Sequence, residues 1–115
     1  MKEARKNFNV MSKFYITAIR EKSGNPSFIT DVLVHSPVSA GRLSKGRVFT
    51  KNEVISALSL GHTFKTATYN YSKGSWSEGA NVSTIHIGYS TYLRTDKDST
   101  ARDNLGNLLL IDELR

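Results

Sequence analysis

Alternation of apolar and polar side chains predicts the strands of this chain, and a change of period predicts its helix. From Lys13 to Arg20, Phe14, Ile16 and Ala18 fall on one face, while Tyr15, Thr17 and Ile19 fall on the other. Successive side chains of a strand point to opposite faces, so β-forming residues on both faces predict a central strand covered from both sides. From Phe28 to His35, Phe28, Thr30, Val32 and Val34 alternate with Ile29, Asp31, Leu33 and His35. The intervening Lys22-Ser23-Gly24-Asn25-Pro26 has turn chemistry, because Gly tolerates positive φ and Pro cannot donate to a ladder. The first two strands are therefore expected to form a hairpin.

Residues 36–49, rich in Ser, Gly, Arg and Lys, read as a loop. Thr50-Lys51-Asn52-Glu53 then has capping-box spacing, in which the Thr hydroxyl accepts from the Glu53 amide and the Glu side chain reaches back. Val54, Ile55 and Leu58 form an apolar stripe, and Gly61 suits the left-handed position after a helix. These signals predict a helix from Lys51 to Leu60, too short to stand without tertiary support. Strands follow at Thr63–Tyr71 and Asn81–Tyr89, joined by a polar connector with Trp76 at its tip, and are expected to pair as a long antiparallel hairpin. The fold expected is α+β in the order β-β-α-β-β: one antiparallel sheet with a single helix packed on one face. From Tyr92 onward a polar cluster and then Leu105, Leu108, Leu109, Leu110 and Ile111 predict an ordered loop and a short extended or helical tail. Residues 1–11 read as a flexible leader, and 12–115 as a single domain.

A chain of 115 residues has room for one domain, and its 38% hydrophobic and 23% charged content is that of a globular protein. The absence of cysteine excludes disulfides and thiolate metal sites. No apolar run approaches the roughly 18 residues of a membrane span, and the polar start lacks the apolar stretch of a secretory signal. A cytoplasmic protein without membrane association is the expectation. The net charge of +6 and pI near 9.7 favour encounter with polyanions, either nucleic acid or an acidic protein.

Candidate chemistry is sparse. Asp96, Asp98 and Thr100 match the opening of an EF-hand loop, but Ala101 and Asn107 stand where that loop needs Gly and a bidentate Glu. His35, His62 and His86 lack the spacing of a zinc site. No nucleophile elbow, Walker loop or dinucleotide fingerprint occurs, so no catalytic residue, metal or cofactor is expected. Arg42, Lys45, Arg47 and Lys51 form either a solvated loop or a mobile basic finger, whose Gly41 and Gly46 let it mould onto phosphates. Tyr69, Tyr71 and Trp76 are the aromatics expected to be exposed, and aromatic platforms flanked by cations bind single strands. The function expected is a non-catalytic binding module for nucleic acid or an acidic protein. The alternative is an inhibitor of a bacterial defence complex, carried by a phage or mobile element and acting by protein binding. Catalytic use of Arg94, Asp98 and Asp103 is the least supported reading.

Three stretches together carry a resemblance. They are Tyr15-Ile16-Thr17-Ala18-Ile19-Arg20, the helix start Thr50-Lys51-Asn52-Glu53-Val54-Ile55, and Tyr92-Leu93-Arg94-Thr95 followed by Asp98, Thr100, Asp103, Asn104, Leu105, Asn107 and Leu108. The chain resembles a family of small bacterial proteins known only as domain-of-unknown-function family 3892. Leu109 stands where members usually have Pro. The resemblance implies a compact domain and no named activity. It marks Arg94, Asp98, Thr100, Asp103 and Asn104 as the defining loop, with an Arg94 guanidinium expected to bridge Asp98 or Asp103 and pin it.

Overall fold

The strand predicted to be central is central, and the sheet grows outward from it. The computed structural model describes residues 12–22, 28–39, 41–95, 103–106 and 108–113. Along these run β1 (Lys13–Lys22), β2 (Phe28–His35), β3 (Pro37–Ser39), β4 (Arg42–Leu43), β5 (Arg47–Thr50) and α1 (Lys51–Ser59). They continue with β6 (Thr63–Asn70), β7 (Ser75–Asn81), β8 (Ser83–Ile87), β9 (Ser90–Arg94), β10 (Leu109–Leu110) and a 3-10 turn over Ile111–Glu113. The main sheet has the order β5-β2-β1-β6-β7. One edge of β1 pairs antiparallel with β2. Its other edge is shared, with β6 parallel along Lys13–Ile16 and β10 parallel along Ala18 and Ile19. The expected leader, residues 1–11, and the turn at 23–27 lie outside the described residues.

The expectation of a single antiparallel sheet is corrected in two places. Residues 47–50, read as the end of a loop, are β5, which pairs antiparallel with β2. Since β2 is itself antiparallel to β1, β5 runs parallel to β1, and so does β6. The segment β5-α1-β6 is thus a crossover that steps over β2 and β1, which is how a helix joins parallel strands. Missing one short strand inverted the inferred direction of what followed. The second correction concerns residues 72–80. They supply β7, which pairs with β6, while β8 pairs with β9 in a separate two-stranded sheet instead of with β6. The β-propensity of Ser-Trp-Ser-Glu-Gly-Ala-Asn is poor, and pairing to an existing edge overrides it.

The helix matches its punctuation. The Thr50 hydroxyl accepts from the Glu53 amide at 3.1 Å, and the Glu53 carboxylate accepts from the Thr50 amide at 2.7 Å. At the other end the Gly61 amide donates to Leu58 O and the His62 amide to Ala57 O, both at 3.1 Å, the paired bonds of a Schellman motif. Val54 is fully buried, and Ile55 and Leu58 pack partly buried beside it against Ile16, Val32, Val34 and Phe64. Val82, Leu93 and Leu105 complete this core, so the β8–β9 hairpin and the tail close the helix side of the sheet.

Two bulges decide which residues reach the core. Ile16 pairs with Val34 but Ala18 with Leu33, so Thr17 is an extra residue in β1. Arg20 pairs with Asp31 but Glu21 with Ile29, so Thr30 is an extra residue in β2. Strict alternation had set Ile29 opposite in sense to Val32 and Val34; the second bulge turns it inward to join them.

The other face of the sheet is also covered. Tyr15, Thr17, His35 and Ala67 are buried there under the β3–β4 hairpin, which occupies part of the predicted basic loop. That hairpin is tied down. Ser44 N donates to Ser36 O at 2.8 Å, and Ser36 N donates to Ser44 Oγ at 2.9 Å. Within residues 36–49, expected as a loop, Pro37–Ser39 and Arg42–Leu43 thus form a short hairpin layered on the sheet, with Arg42, Lys45 and Arg47 exposed. Far from it, Arg20 ties the chain's end to the sheet by pairing with Asp31 at 3.2 Å and Asp112 at 3.1 Å.

A third bulge sits where β7 uses three steps, Glu78 to Asn81, against two of β6. There the Ala80 amide donates to Thr66 Oγ1 at 3.0 Å, and a Cβ on Gly79 would run into that same oxygen and lie 3.2 Å from Thr66 O. Overpacking against backbone costs about 1–3 kcal/mol. Gly79→Ala is accordingly expected to lower stability by about that amount, read as a lower urea midpoint at unchanged slope.

Candidate functional site

The β6–β7 hairpin and the β3–β4 hairpin meet to form one surface. At the hairpin tip, Asn70 Oδ1 accepts from the amides of Ser72 at 3.0 Å and Lys73 at 3.2 Å, and Gly74 N donates to Asn70 O at 2.8 Å. An Asn side chain that mimics a turn in this way holds Tyr71 and Lys73 outward. Tyr69 and Trp76 are cross-strand partners with ring centroids 5.3 Å apart at 75°. Tyr71 adds a second edge-to-face contact to Tyr69 at 4.9 Å and remains 87% exposed.

The Trp76 amide donates to Gly41 O at 3.0 Å, joining the two hairpins. Gly41 has φ 73°, and a Cβ there would lie 2.9 Å from Ser75 Cβ, so both backbone shape and the close approach require glycine. Beneath, the His35 ring lies 5.9 Å from that of Trp76. Its Nδ1 faces Ser44 O at 2.8 Å, and a carbonyl only accepts, so Nδ1 carries the proton. Nε2 meets Thr17 Oγ1 at 2.7 Å, completing a polar strut between β1, β2 and the hairpin.

Between the hairpins opens a cavity of about 340 Å³, whose walls include Tyr15, Arg42, Leu43, Trp76 and Glu78. Lys65 donates to Glu78 at 2.8 Å. That bond and the ammonium charge hold the Glu78 carboxyl below the usual carboxylate range, while Glu78 in turn raises Lys65. Burial raises the Tyr15 phenol, and the Glu78 carboxylate beside it raises it further, so Tyr15 stays protonated. The result is an ionised, acceptor-only carboxylate facing a cavity walled by an indole.

Of the predicted binding residues, Arg42, Tyr69, Tyr71 and Trp76 come together at this junction. Lys45 and Arg47 are exposed, with the Arg47 guanidinium over the Phe49 ring at 5.4 Å. Lys51 is placed elsewhere: its ammonium lies 2.9 Å from the wholly buried Asp103 carboxylate and 5.3 Å above the Tyr92 ring. Glu78, Lys65 and Tyr15 were missed as a group. The register of β6 with β7 makes Lys65 and Glu78 neighbours, and reading residues 72–80 as a connector concealed it.

The signature loop is an anchor where it is described. Asp103 accepts from Leu93 N at 2.8 Å through Oδ1 and from Ile29 N at 2.9 Å through Oδ2, besides pairing with Lys51. One carboxylate thereby joins β2, β9 and the start of α1. The cation meeting Asp103 is Lys51 of the helix. Arg94 is buried and partnered, and its backbone bridges to Asn104, whose amide donates to Leu93 O at 2.7 Å. Asp98 and Thr100 lie outside the described residues. A second, more open cavity of about 720 Å³ lies above this anchor between Phe28, Lys51, Ile55 and Tyr89. Among the described residues its one cation, Lys51, is already engaged by Asp103.

The profile of a family described as protein of unknown function (DUF3892) matches residues 15–109, and the chain belongs to that family. No curated protein and no solved structure matches it. No helix among the described residues is long and apolar enough to cross a membrane.

Removing one partner of a buried ion pair strands the other and costs about 3–5 kcal/mol. Asp103→Asn is expected to lower stability by about 3 kcal/mol in denaturant unfolding. The Lys65–Glu78 pair gives a pH signature. Because Glu78 is depressed in the folded chain, its contribution is present above the ordinary value of 4.5 and lost as pH falls through the lower folded value. The melting-temperature gap between the native chain and Glu78→Gln should therefore be small but positive at neutral pH, and should close on acidification below the ordinary carboxylate range.

Proposed function

We propose that this protein is a non-catalytic binding module that takes single-stranded nucleic acid across the junction of the β3–β4 and β6–β7 hairpins. The observation that carries the reading is the Tyr69–Tyr71–Trp76 cluster, presented beside Arg42 and Lys73 on a chain of net charge +6. Every base has a π-face, so exposed rings hold a strand without regard to sequence, and each stack is worth about 1–3 kcal/mol. Arg42, Lys73 and the exposed Lys45 supply donors for phosphate oxygens, a term that weakens with salt. Single strands suit this surface better than a duplex, whose bases are already stacked.

The test is polarisation of labelled single-stranded DNA, duplex DNA and RNA at low and moderate salt. Single strands are expected to bind more tightly than duplex. Tyr71→Ala should weaken binding about tenfold at every salt concentration, in line with one lost stack. Arg42→Ala should also flatten the salt dependence by about 0.7 in the logarithmic slope, the share of one phosphate contact on a single strand. No binding of any nucleic acid at low salt would overturn the reading. The same cationic, aromatic face would then be assigned to an acidic protein, whether a host protein or a component of a defence complex.

A further inference from the structure

We infer that the cavity beneath the β3–β4 hairpin is a base-reading pocket that accepts a guanine ring. This inference rests on the single-strand reading and adds to it a preference that an aromatic platform alone would not have. At about 340 Å³ the cavity lies at the small end of the range for ligand sites, about 300–1,000 Å³, and it is walled on one side by the Trp76 indole. A planar heterocycle is the ligand class that fits against such a wall.

The polar groups choose among the heterocycles. Glu78 lines the cavity with its side chain 51% exposed, and Lys65 at 2.8 Å fixes the carboxylate in place. A carboxylate has about four lone-pair sites, so the one bond from Lys65 leaves room for two more donors. Guanine alone presents two adjacent donors, N1–H and the N2 amino group, on its pairing edge. Uracil and thymine offer one N–H between two carbonyl oxygens, and those oxygens would face the anion. Adenine and cytosine offer one amino donor beside a ring acceptor. Arg42, which also lines the cavity, is the donor available to the O6 and N7 acceptors of the same ring. The ring could come from a strand or from a free nucleotide, and both present this edge.

The chain has a single tryptophan, so its fluorescence reports on this pocket directly. The experiment titrates the full-length protein with the DNA nonamer T9, with T4GT4 and with 5′-GMP, following Trp76 emission, and repeats each series with Glu78→Gln. Thermal unfolding of the variant verifies its fold. The expected result is quenching by T4GT4 at about tenfold lower concentration than T9, with the gap abolished in Glu78→Gln while T9 binding is kept. Quenching by 5′-GMP that needs Glu78 would support the pocket from a free nucleotide, even if neither strand bound and the single-strand reading fell. Equal affinity for T9 and T4GT4 with no response to 5′-GMP would overturn the pocket and leave the strand-binding face standing. A guanine preference that survives Glu78→Gln would overturn the assignment to Glu78. No response to any of the three would overturn both.

Discussion

The structure depends on the enclosure of the middle of β1. Ile16 and Ala18 are fully buried, and Tyr15, Thr17 and Ile19 retain at most 6% exposure, so five consecutive residues face protein on both sides of the sheet. A strand with two apolar faces and two edges needs four coverings. The helix core supplies one face and the β3–β4 hairpin the other; β2 takes one edge, while β6 and β10 divide the second. In a small domain no other strand can be enclosed to the same degree, and β5 and β7 become edges. The second layer that encloses Tyr15 and Thr17 also brings Arg42 to the cavity that Trp76 lines, so the candidate site is a by-product of covering the central strand.

The second constraint is the Asp103 carboxylate. Two amides and an ammonium satisfy it, and they come from β2, β9 and α1, which are remote in sequence. An unpaired charge in that position would be costly, so its partners must be in place together, and they fasten the terminal loop, the β8–β9 hairpin and the helix start as a unit. This links the helix start to the terminal segment physically: Lys51 comes from one and Asp103 from the other. It also separates the two sets of basic residues. Lys51 serves the fold, whereas Arg42 and Lys73 remain available at the surface.

Much of the local structure was legible in the chain. The capping box, the Schellman end and the bounds of β2 follow from short-range rules about which groups can satisfy which backbone bonds. The exposure of Tyr69 and Tyr71 was legible too, since no apolar pattern drew them inward, whereas Trp76, expected to be exposed with them, is half-buried at the hairpin junction. Glu78 and Lys65 were not, because a cross-strand pair becomes visible only once the register is known, and the β7 bulge shifts that register.

By itself, then, the sequence determined the helix, the central character of β1 and the β1–β2 hairpin. Each rests on contacts within a few residues or on a run of side chains of one kind. Tertiary structure alone decided that β5 and β6 run parallel to β1, that Ser75–Asn81 is a strand, that Ile29 turns inward, and that Lys51 pairs with the buried Asp103. These depend on bulges, on edge pairing and on a partner about 50 residues away, where the energy lies in completing a neighbour's hydrogen bonds and not in the local propensity of the residues that do it.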